Sequence, residues 1–149
     1  MRGYTELDFD SASASSELTQ ELESGLLTFK AKFALPGVSD MPWVEGVDGD
    51  GIGEYLVLYF EKKESVDVLR VHLGYPALYN DNGRPEVLKF EFEGGESAEY
   101  TFDDVNHDFY IQLSRPIMTE WIKITIKSVY TGEKYKDTCI SEIAAYSKD

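Results

Sequence analysis

From Glu54 to Tyr146 apolar residues recur mainly at every second position, in short runs broken by glycine, proline or asparagine, and no comparable stretch repeats at the helical period. Alternation of this kind places successive side chains on opposite faces of a strand, so it fixes the fold class before composition is considered. EYLVLYFE carries two apolar rows, Tyr55, Val57, Tyr59 and Leu56, Leu58, Phe60, and predicts a central strand covered on both sides. VDVLRVHLGY sets Leu69, Val71 and Leu73 against Val68, Arg70 and His72, as a half-exposed strand does. In EVLKFEFE, Leu88, Phe90 and Phe92 point inward, and Gly94-Gly95 supplies the hairpin turn to AEYTF. FYIQL, then EWIKITIKSV after a turn holding Pro116, then CISEIAAY complete the set, with Ile122, Ile124 and Ile126 as one inward row. The expected fold is all-β: an antiparallel sandwich or jelly roll.

The N-terminal third is less regular. Residues 1–11 read as a flexible arm or an expression remnant, with one β-sandwich domain over 12–149; SASASSELTQELESG enters that domain as an arm or a short first strand. LLTFKAKFALPGVSDMP, with Pro36, Gly37 and Pro42, predicts a brief helix or turn and then a loop. A chain of 149 residues buries roughly two-thirds of its unfolded surface and needs no staple. Its single cysteine, Cys139, allows no intrachain disulfide and says nothing of compartment.

Charge narrows the partners. Twenty-eight acidic against fourteen basic residues give a formal charge of -14, which disfavours nucleic acid and anionic membrane. No apolar run approaches the length of a membrane-spanning helix, so direct membrane insertion is not expected. If the protein is exported, its leader or anchor lies outside this sequence.

WVEGVDGDGIGEYLVLYFEKK, residues 43–63, puts four glycines and a cluster of acids directly before a strand. A dinucleotide loop would lead from a strand into a helix, and Asp48, Asp50 and Glu54 would repel its phosphates. An EF-hand counted from Asp48 places Ile52 at position five and Tyr59 at position twelve, where oxygen ligands are required. The segment reads instead as scaffold: glycines permit a compact turn, Trp43 plugs the sheet end, and Glu45 or Glu54 accepts buried backbone N–H groups or pairs with Arg84. A direct ligand role for Glu45 is the alternative. His72 and His107 lack a zinc-binding setting, and His72 is expected as a half-buried strand residue. No G-x-S-x-G elbow or Cys-His pair marks an enzyme.

Two loops gather the residue types that hold sugars. GYPALYNDNGRPE brings Tyr75, Tyr79, Asn82 and Arg84; SVYTGEKYKDT brings Tyr130, Lys134, Tyr135 and Asp137. Aromatic rings stack on apolar sugar faces while amides, carboxylates and guanidinium groups satisfy hydroxyls. Equally, Arg84 and Asp137 could form a structural ion pair while the tyrosines cap the sandwich.

Taken in order, WVEGVDGDGIGEYLVLYF, GY with YNDNGR, and SVYTGEKYKDTCISEI resemble the NADase-type glycan-binding domain, over roughly residues 12–146. This is a discoidin-like, coagulation-factor type C-like module also found as the translocation domain of streptococcal NAD glycohydrolase. The resemblance implies a galactose-binding-domain-like jelly roll, noncatalytic and carried by bacterial exported, cell-surface or periplasmic proteins. It implies a glycan or glycoconjugate partner; a surface-protein partner for an interaction or adhesion domain is the alternative. Related modules often hold a structural calcium ion through an N-D-G-D-type loop before the tryptophan and a glutamate in the last strand. Glu142 matches that glutamate, but the loop reads FALPGVSDMPW, leaving backbone carbonyls and Asp40 as the substitutes. No other cofactor is implied.

Overall fold

The computed structural model describes residues 1–149. Strands run in the order β1 (Tyr4–Leu7), β2 (Ser11–Ala14), β3 (Thr19–Leu22), β4 (Gly25–Thr28), β5 (Trp43–Val44), β6 (Tyr55–Leu73), β7 (Arg84–Phe92), β8 (Ser97–Thr101), β9 (Asp108–Tyr130) and β10 (Cys139–Lys148). Short 3-10 turns cover Ala31–Ala34 and Pro76–Leu78.

β6 and β9 are the two long strands, and each passes through both layers of an antiparallel jelly-roll β-sandwich. Their register shifts between Tyr59 and Glu64 and again between Val66 and Val68. Bulges of this kind bend and twist a strand, so one ribbon can leave one layer and enter the other. On one side of the bend β6 pairs with β2 and β9 with β7, which pairs with β8; on the other β6 pairs with β10, which pairs with β1 and β5. Where the sequence suggests separate strands, EYLVLYFE with VDVLRVHLGY, and FYIQL with EWIKITIKSV, the chain runs on without a break. Pro116, read as a turn residue, lies in the part of β9 that has no registered partner on β6, where its missing N–H disrupts no ladder.

Leu56, Leu58, Ile122, Ile124, Ile126, Leu88 and Phe90 from one layer meet Leu69, Val71, Ile143 and Ala145 from the other in one buried cluster. Trp43 closes the end of this core and donates its indole N–H to the carbonyl of Ser16 at 2.9 Å. The expectation that both rows of EYLVLYFE are covered is corrected: Leu56, Leu58 and Phe60 are buried, but Tyr59 is 36% exposed and Tyr55 and Val57 only half-buried. Lys123 lies over the Tyr55 ring, and the row borders an open depression rather than a further layer.

The N-terminal region is also more ordered than its composition suggests. Tyr4–Leu7, within the expected flexible arm, pairs with β10 in the register Tyr4↔Lys148 to Leu7↔Ala145, and β3 and β4 form a hairpin. Tyr4 packs on Val68, Ala144 and Tyr146, and Leu7 on the main core. Four backbone pairings and two half-buried side chains outweigh the entropy of ordering so short a segment. Removing residues 1–7 is therefore expected to cost ~2 kcal/mol, read as a lower denaturation midpoint in urea; a free arm would leave the midpoint unchanged.

Candidate functional site

One end of the sandwich carries a cleft of about 230 Å³ lined by the β3–β4 hairpin (Leu18, Gln20, Leu27, Phe29), by Val44, and by Tyr75, Leu78, Asn82 and Tyr135 from the two long loops. Main-chain bonds set its shape. Leu18 N–H donates to Val44 O and Phe29 N–H to Leu18 O, fixing the hairpin to β5. Glu133 N–H donates to Asn80 O, the Lys134 and Tyr135 N–H groups to Asp81 O, and Gly83 N–H to Asp137 O, zipping loop 131–138 onto loop 79–83. Tyr75 stands edge-on to Phe29 with ring centroids 6.3 Å apart.

Asn82 is only 8% exposed, and its carbonyl accepts a bond from Arg84 at 3.1 Å. Its side-chain amide lines the cleft with no partner in the protein and is open to solvent there. Tyr135, 42% exposed, forms part of the cleft wall, with Lys134 Nζ 5.4 Å from its ring centroid.

The other sequence-selected residues have internal work. Arg84, 7% exposed, donates through Nε and Nη2 to Asp104 at 3.0 and 2.7 Å; Tyr79 donates its hydroxyl to the same carboxylate at 2.7 Å and lies 5.0 Å from the guanidinium. The ion pair considered with Asp137 and the pairing with Glu45 or Glu54 are thus both replaced by Asp104, which sequence reasoning missed because the DDVNHD segment looked like a plain linker. Gly74 makes room for this arrangement: its φ is +83°, and a Cβ there would stand 2.7 Å from Arg84 Cγ. Tyr130 donates to Phe102 O at 2.7 Å and so braces the loop. Asp137 is half-buried, and desolvation raises its pKa from the ordinary value.

Of the side chains expected to hold calcium, Glu142 has another partner and Asp40 faces solvent. Glu142 accepts a bond from Arg70, which also bonds Tyr146, while Asp40 is exposed in a loop whose neighbours Pro36 and Val38 offer no side-chain oxygen. No group of three or more His, Cys, Asp or Glu residues is placed to hold a metal. His72 is half-buried between Asp108 and Asn106, each 2.8 Å from a ring nitrogen.

Beneath the cleft end, Glu54 accepts the hydroxyls of Ser15 and Ser16, anchoring the incoming chain. Glu45 behaves differently. It is fully buried, neither carboxylate oxygen finds a partner, and its side chain lies where a Cβ on Gly51 would sit, so that residue must be glycine at φ +76°. Desolvation, helped by the nearby charges of Asp137, Glu54 and Asp50, pushes Glu45 up to about 8.

The two acids set opposite pH dependences. The Asp104 pKa is lowered, chiefly by its bonds from Arg84, so its stabilisation is complete above the ordinary carboxylate range and is lost as pH falls through the folded value. The raised Glu45 value reverses the sign: burial is tolerated while the unfolded acid is protonated, near 4.5, and stability declines as pH rises toward about 8. Glu45→Gln should therefore melt higher than wild type at pH 8, with the gap closing by pH 5, as thermal scans at the two pH values will show. Asp104→Ala should lose about 2 kcal/mol at pH 7, measured by urea titration, by leaving the buried guanidinium unpaired.

Comparison with known proteins then places this geometry. The family model for the NAD glycohydrolase translocation F5/8 type C domain matches residues 3–146. No curated protein matches the sequence at a significant level. Among solved structures, the family 32 CBM of C. perfringens NanJ in complex with galactose superimposes with a TM-score of 0.74 at 23% identity, over 97% of this chain and 99% of that one. The module CpGH89CBM32-5 of Clostridium perfringens, in complex with GalNAc-β-1,3-galactose, gives 0.70 at 15% identity over 92% and 94%. A segment of the mycobacterial arabinofuranosyltransferase AftD gives 0.69 at 19% identity, covering 98% of this chain and 11% of that one. At these identities the structural likenesses establish the shared fold.

Proposed function

The chain belongs to the NAD glycohydrolase translocation F5/8 type C domain family, and from that premise we propose that it is a noncatalytic glycan-binding module whose sugar site is the cleft between the β3–β4 hairpin and the loops at 75–82 and 131–138. The observation that carries the reading is the Asn82 side-chain amide, free of any protein partner and open to a cleft walled by tyrosine and phenylalanine, in a residue otherwise only 8% exposed. An amide supplies both donor and acceptor to vicinal hydroxyls, and the rings of Tyr75 and Tyr135 offer the apolar faces on which a pyranose packs. Lys134, exposed beside Tyr135, adds a donor at the rim.

In this scheme Arg84 and Tyr79 act through Asp104: they hold the loop that presents Asn82 and Tyr75, without touching sugar themselves. Tyr130 and Asp137 likewise brace the loops. The galactose and GalNAc-β-1,3-galactose held by the two clostridial neighbours support the class of ligand. The likeness to carbohydrate-binding modules supports a role without chemistry. Export or surface display fits a glycan ligand; no helix of the chain is long and apolar enough to cross a membrane.

Asn82→Ala and Tyr135→Ala should each weaken binding of the best neutral saccharide by roughly tenfold while leaving the melting temperature near wild type. Calorimetric titration after a glycan array checks this. An empty array with the folded wild-type protein would sink the glycan reading and favour a protein ligand for the same cleft.

A further inference from the structure

The cleft leaves unexplained the open outer face of the layer formed by β2, β6, β9 and β7. There Tyr55, Val57 and Tyr59 from β6 stand beside Trp121 and Lys123 from β9 around a shallow depression of about 250 Å³. Register makes the row continuous: Tyr59 lies opposite Trp121, Val57 opposite Lys123 and Tyr55 opposite Thr125. Lys123 Nζ sits 4.2 Å from the Tyr55 ring centroid and forms no ion pair with any carboxylate. Ser13 Oγ is 3.2 Å from the Tyr59 hydroxyl, so the rim is hydroxylated as well as aromatic. The outer face of the opposite layer is finished differently: Val68, Ala144 and Tyr146 are buried under Tyr4, and Arg70 is bonded to Glu142 and Tyr146.

We propose that this aromatic row is a second carbohydrate surface, separate from the cleft, on which a neutral oligosaccharide chain lies along β6. The inference rests on the glycan reading above. The four residue rises of strand from Tyr55 to Tyr59 span ~13 Å, longer than one pyranose ring, so the surface suits a chain rather than a terminal sugar. Its chemistry selects the occupant. Rings with polar tips, an unpaired ammonium and flanking hydroxyls match an amphipathic ligand covered in hydroxyl groups, where an aliphatic patch would match a greasy one. The net charge of -14 selects further, since a second copy of the chain or an anionic polymer would meet long-range repulsion that a neutral glycan does not.

Trp121 supplies the test. The chain has two tryptophans, and Trp43 is fully buried, so quenching by acrylamide reports Trp121. Wild-type protein is titrated with neutral gluco-, xylo- and galacto-oligosaccharides from monosaccharide to hexasaccharide, in parallel with the Asn82→Ala and Tyr59→Ala variants. The expected result is protection of Trp121 that grows with chain length, persists in Asn82→Ala, and needs roughly fivefold to tenfold more hexasaccharide in Tyr59→Ala. Absence of protection by every saccharide in wild type overturns the proposal, even if calorimetry shows monosaccharide binding in the cleft. Loss of protection in Asn82→Ala overturns a separate surface, and Trp121 protection that rises with protein concentration alone assigns the face to self-association instead. Failure of the cleft reading is seen separately, as monosaccharide heats that Asn82→Ala does not alter.

Discussion

The antiparallel ladder between β6 and β9 is the contact on which everything else is hung. It is shared by both layers, so the same backbone hydrogen bonds that pair the strands also hold the two halves of the sandwich in register. A one-residue slip of β6 along β9 would turn Leu56 and Leu58 toward water and bring Tyr55 and Tyr59 into the core. The bulges near Tyr59 and Val66 let the ladder bend without breaking, and the end loops inherit their positions from that bend.

On this frame the cleft end is built by backbone and charge together. The main chain of loop 131–138 is laid against loop 79–83, and the guanidinium of Arg84 joins Asp104 on a third loop to the same assembly. A buried charge with good partners rigidifies its neighbours, and the cost of removing one partner is high. Glu45 is the counterpoint, a carboxyl enclosed without a well-formed hydrogen bond, near the Thr138 N–H and beside a glycine turn that admits it. A buried acid held this way carries its proton at neutral pH, so the acidic loop before β6 is less charged in the fold than its sequence suggests.

Much of the architecture could be read in the residues. The isoleucine row of β9, the leucine and phenylalanine rows of β6 and β7 and the Gly94-Gly95 hairpin follow from alternation and turn chemistry, which are local. Long-range facts were harder to read. Continuity of β6 and β9 through Lys62 and Pro116 depends on bulges that tolerate polar residues and a missing N–H. Pairing of Tyr4–Leu7 depends on the last strand of the chain. At the candidate site, the two loops announced themselves by tyrosine and asparagine content, but which groups face the cleft is decided by partners distant in sequence. Arg84 carried the most conspicuous chemistry and is taken up by Asp104; the β3–β4 hairpin, with Leu18, Gln20 and Leu27, contributes a wall that its acidic, serine-rich surroundings concealed.

The pairing of Tyr4 with Lys148 puts the first and last strands side by side, with Asp149 N–H bonded to Gly3 O. β10 runs from that edge to Cys139, at the end where Val44 and the loops enclose the cleft, a distance of ~30 Å for its ten residues. Any polypeptide bearing this fold would therefore enter and leave it at one corner, so that it hangs as a pendant with its mouth turned outward from the tether.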